Sequence, residues 1–243
     1  MQVNIEKTYE TMSEKALDEL LGKIRGVKNA LVCTASGDSP KGLYNQLISS
    51  VKHNNADIKM WDFLSLDEWM GMNGNDEGSC RFHLNNDLFN PLNVTEDKIT
   101  FFDGRAPEPA KECERIEKYI EQHNGIDVAI VGLGLNGHIG MNEPGSSVNS
   151  RCRIAAIDPV TQQSGQKYFK ESRQLTRGLT LGIADIMEAR HVMLVVSGSK
   201  KASIVKQVIE GEISTDVPAS ILRNHKSCTI WLDNDAAELL QKK

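Results

Sequence analysis

Six short apolar runs punctuate the chain: residues 29–35 (NALVCTA), 58–66 (IKMWDFLSL), 98–102 (KITFF), 127–131 (DVAIV), 191–196 (HVMLVV) and 227–232 (SCTIWL). Most lack clean alternation of polar and apolar positions, the pattern of strands covered on both faces. Between them lie stripes at helical spacing. Met12, Ala16, Leu17, Leu20, Leu21 and Ile24 form one; Leu43, Leu47, Ile48 and Val51 form a second. Ile116, Tyr119 and Ile120 mark a third, and Ala202, Val205, Val208 and Ile209 a fourth. Strands alternating with amphipathic helices predict an α/β fold, a Rossmann-like three-layer sandwich with a mainly parallel central sheet. No repeat, low-complexity tract or long linker divides the chain, so a single domain over residues 1–243 is expected.

In such folds ligands collect beyond the carboxyl ends of the strands. Four of the segments that follow strands carry polar or glycine-rich chemistry: SGDSPKG from Ser36, DEWMG from Asp67, GLGLNGHIGMNEPG from Gly132 and SGSKKA from Ser197. The first leads into a helix whose opening N–H groups can hold a phosphate, although a plain turn would read the same way. Asp38 inside it opposes an anion. In the second, Asp67 and Glu68 are adjacent, and neighbours on an extended chain point to opposite sides. One carboxylate can then face the crevice, where it would serve as a base beside a carbonyl, while the other makes structural bonds. The fourth segment sets Lys200 and Lys201 in the first turn of a helix, an unfavourable place for cations that a bound anion would offset.

The third segment contains a literal G-x-G-x-x-G at Gly132, Gly134 and Gly137. A dinucleotide fingerprint must open a helix of several turns and be followed about 20 residues later by an acid on the next strand. Here NEPGSS interrupts a few positions on, and Asp158 sits in IAAIDPV, a poor second strand. What remains is a tight loop that presents Asn136, His138, Asn142 and Glu143, with glycines such as Gly137 allowing close approach to a ligand. Two anion contacts, an aspartate base and a His–Glu pair describe an enzyme that moves protons on a sugar phosphate.

Composition narrows the classes. The chain has a formal charge of −5 with 25% charged residues, and so lacks the basic footprint that nucleic acid requires. Its first residues, MQVNIEKTYE, are too polar for a signal peptide, and no apolar run reaches membrane-spanning length. Five cysteines (33, 80, 113, 152 and 228), an odd number without a C-x-x-C pair, predict a reducing cytoplasm and packing roles. The expected partner is a small sugar phosphate, with neither nucleic acid nor membrane; a homo-oligomer stays open.

From about residue 9 to 233 the chain resembles the glucosamine-6-phosphate deaminase/isomerase family, through TASGDSP, SLDEW, GLGLNGHIGMNEPG and SGSKKA. The tryptophan after the D-E pair, N-G-H in the central block and LTRGLTLG (residues 175–182) are closer to its galactosamine-6-phosphate branch. The resemblance implies a 2-amino-2-deoxy-hexose 6-phosphate as substrate. It gives His138 ring opening, with Glu143 supporting the imidazole, and Asp67 the proton transfer from C2 to C1. Ser36, Gly37, Ser39 and Lys201 match phosphate-holding positions, and Glu68 and Gly137 fall among the expected substrate contacts. Neither metal nor organic cofactor is implied, because the substrate's own carbonyl acidifies C2.

Departures from the family pattern accompany the match. A second ring-opening carboxylate of the family falls at Asn136, and Asp38 replaces a small residue in the phosphate loop. The family's phosphate arginine has three candidate counterparts, Lys167, Arg173 and Arg177. A 6-phosphogluconolactonase-type hydrolase and a non-catalytic sugar-phosphate sensor are the competing readings. The N-E-P-G after His138 fits deamination better than lactone hydrolysis, and retention of Asp67, His138 and Glu143 argues against a pure sensor.

Overall fold

The computed structural model describes residues 1–241. Each apolar run forms a strand or part of one. They are β2 (Ala30–Thr34), β3 (Trp61–Ser65), β5 (Ile99–Thr100), β6 (Val128–Val131), β9 (His191–Val196) and β10 (Cys228–Asp233). A further strand, β1 (Gln2–Glu6), lies at the polar N-terminus and pairs with β10 at the sheet edge. The seven align in the order β1-β10-β9-β6-β2-β3-β5, every pair parallel.

Side chains of the central strands split between two cores, as a period of two demands. In β2, Leu31 and Cys33 join one core while Ala30 and Val32 join the other; in β9, Val192, Leu194 and Val196 oppose Met193 and Val195. The stripes of α1 (Tyr9–Ile24) and α2 (Asp38–Lys52) cover the second core. Those of α5 (Pro109–Gln122) and α8 (Ala202–Glu210) cover the first, which α7 (Ile183–Glu188) also joins through Ile186. Helices on both faces explain why the strands read as continuous apolar runs.

A second sheet was not anticipated. β4 (Asp67–Trp69), β7 (Arg153–Ala156) and β8 (Arg177–Thr180) form an antiparallel set in the order β4-β8-β7. Its register places Asp67 and Arg153 on either side of Thr180. Beneath it, Trp69, Met72, Cys80, Met141 and Leu175 make a third apolar cluster. Cys80 opens α3 (Cys80–Leu84), which continues through a π-helical turn into α4 (Asn90–Leu92). Thr180 ties this sheet to the long glycine loop: its Oγ1 accepts from Met141 N–H at 3.1 Å, and Leu181 O accepts from Asn142 Nδ2 at 2.8 Å.

Candidate active site

All four polar segments meet at the carboxyl ends of β2, β3, β6 and β9. Ser197 N–H donates to Ser39 Oγ at 3.1 Å, joining the first segment to the fourth. Lys201 Nζ donates to Leu133 O, joining the fourth to the third. The Cys80 thiol faces both Ser36 and Asp67, which act on it in opposite directions, bringing the first segment to the second.

Asp67 and Glu68 divide their duties as strand alternation requires. Glu68 is 1% exposed. Its carboxylate accepts from Trp69 N–H (2.8 Å), Cys80 N–H (2.9 Å) and Arg81 N–H (2.9 Å), anchoring the start of α3. Burial pushes its carboxyl up to about 7 against the pull of those three donors. Both carboxylate oxygens of Glu68 are thus engaged by backbone donors. Among the described residues no backbone N–H donates to the Asp67 carboxylate. Burial pushes its carboxyl up to about 6, with the Cys80 thiol and the nearby His138 pulling the other way. A carboxylate of that kind is ionised at neutral pH yet basic enough to take a carbon-bound proton.

In the glycine loop the imidazole of His138 lies flat on Gly134, where a Cβ would stand 2.2 Å from ring atoms Cε1 and Nδ1. Gly137 has φ +86°, a conformation open to glycine, and a Cβ there would meet Val217 Cγ1 at 2.8 Å. Its N–H donates to Gly134 O (3.1 Å) and its carbonyl accepts from Ala219 N–H (2.9 Å). Both polar groups are engaged within the protein, and Gly137 shapes the loop. The spacing that resembled a dinucleotide motif thus serves ring packing and a tight turn.

Asn136 bridges His138 and Glu143. Its Nδ2 donates to Glu143 Oε2 at 2.7 Å, and its Oδ1 lies 2.8 Å from His138 Nδ1. An amide oxygen only accepts, so the hydrogen sits on Nδ1 and the lone pair on Nε2. Glu143 Oε2 is itself 3.4 Å from Nδ1. Burial pushes the Glu143 carboxyl upward, but bonding and charge from His138, with Asn136 and Thr161 assisting, hold it below its ordinary value. Its other oxygen, Oε1, is buried without a hydrogen-bond partner among the described residues.

The anion end is built differently. Gly37 (φ +124°) turns the chain into α2, and among the described residues no N-cap side chain bonds to that helix start. Of the three cations considered, Lys167 reaches this loop, in an ion pair with Asp38. Arg173 is exposed and held through its backbone N–H by Gln166 Oε1 at 3.0 Å, while Arg177 is exposed at the start of β8. Burial lowers Lys201 to about 8, helped by the charge of Lys167 and opposed by Asp38. Lys167 is pulled down by burial, but Asp38 and Tyr168 outweigh this and raise it.

Three contributors escaped sequence reasoning. Ser197 meets Ser39 across the sheet, and Cys80 reaches Asp67 from a helix thirteen residues on. Thr161 comes from α6 (Pro159–Gly165), whose N-cap is Asp158, with Oδ1 accepting from Val160 N–H at 2.8 Å. The Asp-Pro pair signals that helix start, but nothing in the sequence says which loop the helix faces. Cavities of about 770 and 610 Å³ lie elsewhere, the first lined by Cys113, Glu117, Arg151 and Arg153.

Fold and cluster together define an α/β protein with a raised carboxyl, a hydrogen-bonded His138–Asn136–Glu143 set and a glycine turn flanked by Lys167 and Lys201 in one cleft. The chain belongs to the family of glucosamine-6-phosphate isomerases/6-phosphogluconolactonase, whose model matches residues 4–231. It is 34% identical over 233 residues to a glucosamine-6-phosphate deaminase of Geobacillus sp. (strain WCH70), covering 96% of this chain and 93% of that one. It is 36% identical over 222 residues to the "Putative deaminase AgaI" of Escherichia coli (strain K12), covering 91% and 87%. Among solved structures, a monomeric glucosamine-6-phosphate deaminase superposes with a TM-score of 0.94 at 32% identity, over 98% of this chain and 100% of that one. A 6-phosphogluconolactonase of Trypanosoma brucei shares the fold at TM-score 0.77 and 20% identity, over 99% and 98%.

Proposed function

We propose that the chain is a deaminating isomerase of 2-amino-2-deoxy-hexose 6-phosphates, acting as one unit in the cytoplasm. The observation that carries this reading is the raised carboxyl of Asp67 beside the His138–Asn136–Glu143 relay. His138 Nε2 takes the anomeric hydroxyl proton and returns it to the ring oxygen, opening the sugar to an aldehyde. Glu143 and Asn136 steady the imidazolium that forms on the way. Asp67 removes the proton from C2 and delivers it to C1, which converts the amine-bearing carbon to an iminium. Water adds at C2, ammonia leaves, and a ketose 6-phosphate remains. Ser36, Gly37, Ser39, Lys167 and Lys201 hold the phosphate end.

The preferred epimer in this reading is galactosamine 6-phosphate, giving tagatose 6-phosphate; glucosamine 6-phosphate would give fructose 6-phosphate. Support comes from the D-E-W, N-G-H and L-T-R-G-L-T-L-G stretches. Purified protein with each sugar phosphate, assayed for ammonia and ketose phosphate, tests both claims. Release of ammonia chiefly from glucosamine 6-phosphate would overturn the epimer preference, and release from neither would overturn the reaction. Hydrolysis of 6-phosphogluconolactone without ammonia would favour the hydrolase.

A further inference from the structure

Thr161 belongs to none of the four segments expected to carry chemistry, yet its hydroxyl enters the His138 cluster from α6. It is 7% exposed. Its Oγ1 lies 3.0 Å from His138 Nδ1 and 3.5 Å from Asn136 Nδ2. The polarity of these contacts follows from the amide. Asn136 Oδ1 can only accept, which puts the hydrogen on His138 Nδ1; Asn136 Nδ2 can only donate. Both neighbours therefore donate toward Thr161 Oγ1.

We propose that the Thr161 hydroxyl positions His138: as a second acceptor for Nδ1–H, set on a different element from Asn136, it fixes the plane of the imidazole and hence the aim of the Nε2 lone pair. A single acceptor leaves the ring free to rock about one bond. Two acceptors from separate elements remove that freedom, and the ring is backed by Gly134 on its face. Geometry fixed in advance of the reaction is what makes a general base effective. The alternative is that Thr161 only fills space, as a buried methyl near the start of a helix.

The two roles separate by substitution. Thr161→Val keeps the shape and removes the hydroxyl; Thr161→Ser keeps the hydroxyl and removes a methyl. The kinetic arm rests on the deaminase reading, whereas a spectroscopic arm does not. With whichever sugar phosphate the wild type deaminates, T161V should lower kcat about tenfold with KM nearly unchanged, the loss of roughly one hydrogen bond in the transition state. T161S should stay within about threefold of wild type. The side-chain ¹⁵N resonance of His138 Nδ1 should move in T161V and hold its place in T161S, both variants being checked for fold by their melting transitions. Equal losses in the two variants, or an unmoved Nδ1 resonance in T161V, overturn the proposal. Should the wild type release no ammonia, the deaminase reading falls and the ¹⁵N comparison alone decides the role of Thr161.

Discussion

At the His138 end of the cleft the imidazole, Asn136, Thr161 and one oxygen of Glu143 are bonded to one another, and Thr161 and Glu143 are buried. At the Asp38 end the side chains of Asp38 and Lys167 are 70% and 55% exposed and paired with each other. The first end is set before any ligand arrives, the arrangement expected where charge develops during reaction. The second holds its own counter-ion, and in the proposed reading an incoming phosphate has to compete with Asp38 for Lys167. Proton transfer demands fixed distances; anion capture tolerates exchange of partners.

Removing the proposed base beside the fixed end is the most severe test. Asp67→Asn should lower ammonia release by roughly 10³-fold while inorganic phosphate still binds, because general-base catalysis alone accounts for changes of that size. In the wild type, kcat/KM should fall as pH drops through about 6, where Asp67 takes up a proton. The same shift has a stability consequence of definite sign. A carboxyl raised in the folded state binds its proton more tightly there than in the unfolded chain, so its contribution declines as pH rises from the ordinary carboxylate range through about 6. Asp67→Asn should therefore melt later than wild type at pH 7.5, by on the order of 1 kcal/mol. Near-normal turnover in this variant would remove Asp67 from the mechanism.

His138→Gln is expected to lower turnover of the cyclic sugar about 10²-fold and to affect an open-chain analogue much less. Equal losses on both would move His138 away from ring opening. The exchangeable end should respond least, and in the opposite direction. Asp38→Asn frees Lys167, so KM and the Kd for inorganic phosphate should fall by about threefold, a gain that shrinks at high salt. Weaker phosphate binding in this variant would show that Asp38 supports the cradle.

The sequence exposed the parallel sheet well, because strands buried on both faces leave unbroken apolar runs such as HVMLVV. It also exposed the division between Asp67 and Glu68, since alternation along an extended chain is local. The antiparallel sheet stayed hidden: pairing Asp67 with Thr180 joins positions more than a hundred residues apart, and RGLT alone carries no mark of its partner. The bonds that Glu68 and Gly137 make within the protein stayed hidden for the same reason. Their partners, the N–H groups of Cys80 and Arg81 at the start of α3 and that of Ala219, come from other elements of the chain. Thr161 was invisible because a threonine early in a helix is ordinary until the facing loop is known. Among Lys167, Arg173 and Arg177, only the folded chain shows which one reaches Asp38.

One short stretch touches both ends of the cleft. Thr161 contacts His138, and Lys167, six residues later, contacts Asp38. At helical rise those six residues span about 9 Å. In the proposed reading the segment works as a ruler laid along the substrate, with the anomeric carbon at one mark and the phosphate at the other. A sugar phosphate with fewer carbons between those groups could satisfy one mark only, so selection for chain length would be built into a single piece of backbone.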